Sequence, residues 1–186
     1  MFGKFLKCFL LFVSIFCFLQ NGFSKEKRNF TVNGYSFLYA DNLHVRGLRL
    51  KAKADMLFRK GAYALAIQPY EDASRYLPNE ADIYFNLGNI YMRQGIWQMA
   101  LRYFQIAESK YLLPENHGKT QKYRYISIMN QGRCHLALDD AQAARRAAIR
   151  LRAERRAIVN NFPELENEME DFLTEIYGEG ATVIEF

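Results

Sequence analysis

The stretch Ala81–Ala107, ADIYFNLGNIYMRQGIWQMALRYFQIA, constrains the fold more than any other part of the chain. Both halves carry apolar residues at helical spacing, and between them Gly95 ends the first helix in a left-handed turn that glycine reaches at little cost. Small residues at Gly88 and Ala100 let two antiparallel helices approach closely, while Tyr84, Leu87, Tyr91, Trp97 and Phe104 fill the seam between them. The same arrangement stands 34 residues earlier, where Gly61, Tyr63, Ala66, Tyr70 and Ala73 precede Gly95, Trp97, Ala100, Phe104 and Ala107. It returns at an offset of 44, with Gly132 and Ala144 answering Gly88 and Ala100, so ten residues are inserted before the third copy. Helix pairs repeated at a fixed period stack into a solenoid, and about three are needed for stability.

Tyr84, Leu87, Gly88 and Tyr91 lie on a W-x₂-L-G-x₂-Y frame, followed by Ala100 and Phe104 on A-x₃-F. This resembles the tetratricopeptide repeat, a helix–turn–helix unit of about 34 residues. The resemblance is strong in the middle copy, good in the first and weaker in the third. Lys53 and Ala54 stand where Leu-Gly is usual, and Pro69 falls inside a helix, where it removes a backbone bond and is expected to kink it. In the third copy Gln131 replaces Leu, His135 replaces Tyr and Asp139 replaces the turn glycine. The expected fold is all-α: an α-solenoid of three tetratricopeptide-like repeats (about 47–80, 81–114 and 125–158, within 43–160) with a C-terminal capping helix over 161–178. Leu165, Met169, Phe172, Leu173 and Ile176 form the apolar face of that cap, and the tail 179–186 follows it.

Residues 1–24 have a basic head at Lys4 and Lys7 and an apolar run from Cys8 to Leu19, followed by small residues up to Ser24. This is the form of a secretory signal peptide cleaved after Ser24, or of a retained membrane anchor. A lipoprotein site at Cys17 is disfavoured by bulky Phe16. The expected location is therefore the bacterial envelope, exported and either free in the periplasm or anchored facing it, with membrane association through residues 1–24. Residues 25–42 are an extension in which Asn33-Gly34 signals a turn, giving either a small hairpin or a packed loop, with Asp41 or Asn42 capping the first helix.

Charge narrows the partners. The formal net charge is +5, and without the two leader lysines 23 basic residues face 20 acidic ones, a balance of +3. That is too mild to imply nucleic acid. The helix from Ala141 to Val159 carries Arg145, Arg146, Arg150, Arg152, Arg155 and Arg156, and the next helix supplies Glu164, Glu166, Glu168, Glu170, Asp171 and Glu175. Pairing between the two helices accounts for both runs better than an anionic ligand does. Cys134 alone of three cysteines lies beyond the leader, so no disulfide forms in the remainder, and no zinc or redox spacing is present. His44, His117 and His135 are scattered, and neither a metalloprotease motif nor a glycine-rich phosphate loop occurs. The expectation is a non-catalytic protein without cofactor or metal.

The family resemblance implies a concave groove, lined by the first helix of each repeat, that grips an extended peptide or a helix of another protein. Carried over by position, the first repeat offers Lys51, Asp55, Phe58 and Arg59. The second offers Phe85, Asn86, Asn89, Met92 and Arg93, and the third Met129, Asn130, Arg133 and Leu136. The competing role for each is packing against the next repeat. One subclass of the family clamps the C-terminal carboxylate of heat-shock chaperones with a Lys–Asn pair, an Asn and a Lys–Arg pair. Lys51 and Asn86 fit that pattern, but Asp55 stands for an Asn, and Ile126 and Asn130 stand for the Lys and Arg. A carboxylate would meet too little positive charge. The expected role is a scaffold or adaptor that binds another protein, with a chaperone-like carrier or a structural, self-associating subunit as the alternatives.

Overall fold

A computed structural model describes residues 35–116 and 121–178. The chain divides into two compact units, Met1–Ala40 and Asp41–Phe186. Of the first, residues 35–40 are described, as helix; the stack belongs to the second. The signal-peptide reading of residues 1–24 and the tail 179–186 lie outside the described residues, as does His117.

Among the described residues seven helices follow one another: α1 (Tyr35–Arg59), α2 (Tyr63–Tyr76), α3 (Ala81–Arg93), α4 (Trp97–Tyr111), α5 (Gln121–Ala137), α6 (Ala141–Asn161) and α7 (Glu166–Tyr177). Single 3₁₀ turns at Pro114–Asn116 and Pro163–Leu165 lead into α5 and α7. Among the described residues there is no strand. The helix pairs α1–α2, α3–α4 and α5–α6 are the three repeats, and α7 caps the last.

Each pair turns on a residue in the left-handed region: Gly61 at φ 74°, Gly95 at φ 72° and Asp139 at φ 61°. Aspartate tolerates this region because its short polar side chain can bond locally. The next residue, Asp140, then caps α6 by accepting a hydrogen bond from the Ala143 amide at 2.9 Å. Close approach within the pairs rests on the small residues. A Cβ on Gly88 would stand 2.8 Å from the Phe104 ring, and one on Gly132 would stand 2.6 Å from Phe172 Cε2.

The core runs through the stack in connected layers. Ala54, Ala66, Tyr70, Ala73, Ile83, Leu87 and Ile90 close the first two repeats. Ala100, Phe104 and Cys134 join the second to the third. Tyr125, Ile128, Met129, Leu151 and Ile158 then receive Leu165, Met169, Phe172 and Leu173 of the cap. Burial raises the Cys134 thiol to about 11, so it stays a protonated, inert core residue.

Two expectations need correction. The first helix begins at Tyr35, so the segment 35–42 is neither hairpin nor loop, and neither Asp41 nor Asn42 is a cap. Gly47 is the only glycine between Tyr35 and Arg59 and there is no proline, so nothing there stops a helix. Pro69 lies inside α2, which runs from Tyr63 to Tyr76, and is itself buried. The arginines of α6 meet the cap less fully than their number suggested. Arg155 reaches Glu170 at 2.7 Å and Glu166 at 3.8 Å, and Arg152 lies over the Tyr177 ring at 4.7 Å. Arg150 instead pairs with Glu108 of α4. The acids around α7 also serve α5, with Glu168 and Glu175 at 3.4 and 3.2 Å from Arg133 and Glu164 at 3.0 Å from Lys122.

Candidate functional site

Among the described residues, cavities lie between the first helices of the repeats, α1, α3 and α5, along the length of α3. Near its start, Lys51 and Asp55 of α1, Asp82, Phe85 and Asn86 of α3 and Tyr123 of α5 surround a pocket of about 220 Å³. Toward its end, Asn89, Met92 and Arg93 of α3 and Trp97 of α4 meet Arg133, Leu136 and Ala137 of α5 and Glu175 of α7. They enclose a cleft of about 710 Å³.

The small pocket has a polar floor fixed from below. Tyr70 of α2 donates its hydroxyl to Asp55 at 2.7 Å and accepts from Asn86 Nδ2 at 2.8 Å. Burial and the Asp55 carboxylate push the Tyr70 phenol far up, so it remains a neutral donor. Lys51 Nζ lies 3.1 Å from Asp55 and 3.7 Å from Glu80. Burial works against its ammonium, but the Asp55 hydrogen bond and charge outweigh that and raise its pKa. Asp82 accepts from the Tyr111 hydroxyl at 2.8 Å, and no cation lies within ion-pairing distance of it among the described residues. The walls are aromatic. Phe85 and Tyr123 meet edge to face at 5.4 Å, and Tyr111 backs both at 6.4 and 6.3 Å.

The larger cleft is built differently. Met92, Trp97, Leu136 and Ala137 give it an apolar floor. Its cations are already engaged: Arg93 lies over the Tyr63 ring at 5.1 Å, and Arg133 is held by Glu168 and Glu175 with its guanidinium over Phe172. Asn89 sits between the two cavities in sequence, with donor and acceptor available to a bound backbone.

The sequence-derived candidates therefore separate. Lys51, Asp55, Phe85 and Asn86 surround the pocket, while Asn89, Met92, Arg93, Arg133 and Leu136 surround the cleft. Phe58 packs edge to face on Tyr63 at 5.3 Å, and Arg59 ends α1 exposed to solvent; neither lines a cavity. Met129 and Asn130 are a correction. They are 1% and 4% exposed, Met129 inside the core beneath the cap and Asn130 accepting from Arg133, so neither offers a contact surface. The capping helix, through Met169, Phe172 and Leu173, completes the core around Met129. Sequence reading missed Asp82, Tyr123 and Glu175, and it assigned Trp97 to the seam, whereas its half-buried ring also lines the cleft. Asp82 lies one helical turn before Phe85 and Asn86, a spacing that marks it once those two are on the groove. Glu175 comes from the cap, and no periodicity within the repeats points to it.

Residues 54–95 match the family model described as TPR repeat, and residues 81–111 match the one described as tetratricopeptide repeat. The region 54–111 is similar to tetratricopeptide repeats. Two solved structures share the fold over a larger part of the chain. The N-terminal domain of stress-induced protein-1 (STI-1) from C. elegans aligns with a TM-score of 0.54 at 14% identity, over 70% of this chain and 97% of that one. The first tetratricopeptide domain of Spaghetti (RPAP3), bound to the HSP90 peptide SRMEEVD, aligns with a TM-score of 0.51 at 23% identity, over 70% and 93%. No curated protein matches the chain. Within the tetratricopeptide frame, Lys51, Asn86 and Asn89 lie on first helices, the surface along which both cavities open. Among the described residues no group of three or more His, Cys, Asp or Glu is placed to hold a metal ion, and no helix is long and apolar enough to cross a membrane.

Proposed function

We propose that this protein is a non-catalytic adaptor of the bacterial cell envelope whose groove along α3 holds a peptide segment of another protein. The observation that carries the reading is the cleft itself: an apolar floor of Met92, Trp97, Leu136 and Ala137 beside Asn89, with about 710 Å³ of space. Aromatic and Met side chains in such a depression suit an anchoring residue of a partner, and an amide beside them suits its backbone. The Spaghetti domain of similar fold, solved with a peptide, supports a peptide as the form of the ligand. The envelope location rests on the leader-like residues 1–24.

The test places a photo-crosslinking residue at Met92 in the native cell, with a second at the exposed Leu65 of α2 as control. One partner captured from Met92 and not from Leu65 is the expected result. Its purified form should then lose about ten-fold or more in affinity on Asn89→Ala with Met92→Ala, while the melting temperature stays the same. A parallel fall of binding and melting would make those residues core and remove the groove.

A further inference from the structure

The two cavities differ in chemistry, and the difference specifies a ligand. In the small pocket one ammonium, Lys51, faces Asp55 and Glu80, both within 4 Å of it. Asp82 adds a third carboxylate whose hydrogen bond comes from the neutral Tyr111 hydroxyl. Positive charge is therefore spent inside the protein, and negative charge is left over. Phe85 and Tyr123, the latter 40% exposed, flank that excess with aromatic surface. A carboxylate entering here would be repelled, whereas a cation would gain both the carboxylate and the ring faces. The cleft beside it offers an apolar floor and two arginines already engaged, so it adds no call for charge.

We infer that the groove takes a segment of a partner protein carrying a Lys or Arg about three residues from a bulky apolar side chain. The cation enters the pocket between Asp55, Asp82, Phe85 and Tyr123, and the apolar side chain enters the cleft over Met92 and Leu136. The spacing follows from α3. Asn86 and Met92 are six residues apart, about 9 Å along a helix axis, the distance about three residues cover in the polyproline II form, whose three-residue turn presents both side chains on one side. This rests on the peptide-groove reading above and narrows it. It also opposes an acidic C-terminal ligand such as the SRMEEVD peptide held by the Spaghetti domain.

The full chain would be titrated, by fluorescence anisotropy, with labelled peptides of about ten residues. They carry Lys, Arg, Ser or Glu three residues from a Leu, and SRMEEVD is included as the acidic probe. Lys and Arg peptides should bind about ten-fold or more tighter than the Glu peptide. Asp82→Asn, which keeps an acceptor for Tyr111, should erase most of that preference without moving the melting temperature. Asp55→Asn, which keeps one for Tyr70, serves as the second variant. Tighter binding of the Glu peptide or SRMEEVD, still sensitive to Met92→Ser, would overturn the cation pocket and leave the groove standing. A basic preference that survives both Asp variants would place the cation elsewhere and overturn it too. Binding of no peptide, or binding indifferent to Met92→Ser, would remove the groove reading itself.

Discussion

Gly132→Ala isolates the contact that locks the capping helix to the third repeat. Ala is the better helix former by about 1 kcal/mol, so α5 taken alone should gain. In the folded protein, however, the new Cβ would stand 2.6 Å from Phe172 Cε2 and closer still to Cζ. Ordinary contact needs the ring to yield by about 1 Å. Phe172 has no exposed surface and is packed among Met169, Leu173 and the α5–α6 core, so it can move only by displacing α7. That helix is also tied to α5 through Arg133, Glu168 and Glu175. Overpacking of this kind costs about 3 kcal/mol at the upper end of its usual range. Less the helix gain of about 1 kcal/mol, a net loss of about 2 kcal/mol remains. For a domain of this size the melting temperature should drop by roughly 4–8 °C. Urea unfolding followed by far-ultraviolet circular dichroism and by the fluorescence of the single Trp97 would read it. Phe172→Leu removes the clashing edge, so in Gly132→Ala/Phe172→Leu the two losses should fall short of additivity by about 1–2 kcal/mol. If Gly132→Ala were neutral or stabilising, the cap would not be packed as described.

The left-handed turn of the third repeat predicts a graded response at Asp139, whose φ is 61°. Asp139→Gly should lie within about 0.5 kcal/mol of the parent, whereas β-branched Asp139→Val should cost roughly 1–2 kcal/mol by urea titration, and equal effects would deny the turn. Glu154 predicts a pH dependence: burial raises its pKa, but hydrogen bonds from Arg124 at 3.1 and 3.2 Å and from Tyr125 at 3.0 Å outweigh this and lower it from 4.5. A carboxyl with a lowered folded pKa contributes stability in full above its unfolded value and loses it as pH falls through the folded one. The stability gap between the parent and Glu154→Gln should therefore be constant near neutrality and shrink below about pH 4.5, and a gap that widened on acidification would refute the pairing.

The sequence by itself determined the repeat architecture. Gly61, Gly95 and the spacing of Ala66, Tyr70, Ala100 and Phe104 state where helices stop and which faces meet, because turn geometry and helical periodicity are local properties that a few residues carry. The residues at the N-terminal side of the first repeat were not legible in the same way. The run after Gly34 has no periodic partner elsewhere in the chain, and its aromatic residues suit a strand as well as they suit the helix they form. The groove was legible by position for Lys51, Asn86, Met92 and Leu136, since a helix face fixed by the repeat register presents the same positions each time. What only the tertiary structure decided is which of those positions remain available. Met129 and Asn130 occupy groove positions by register, yet both are buried, Met129 in the core completed by α7, a segment outside the repeat pattern. Asp55 reads as an isolated departure from a carboxylate-binding pattern until Tyr70, Lys51 and Asn86 are seen to converge on it. Asp82 becomes a surplus charge only beside a lysine already paired. Charge balance in a pocket depends on which side chains of five helices meet, and no spacing along one helix contains that.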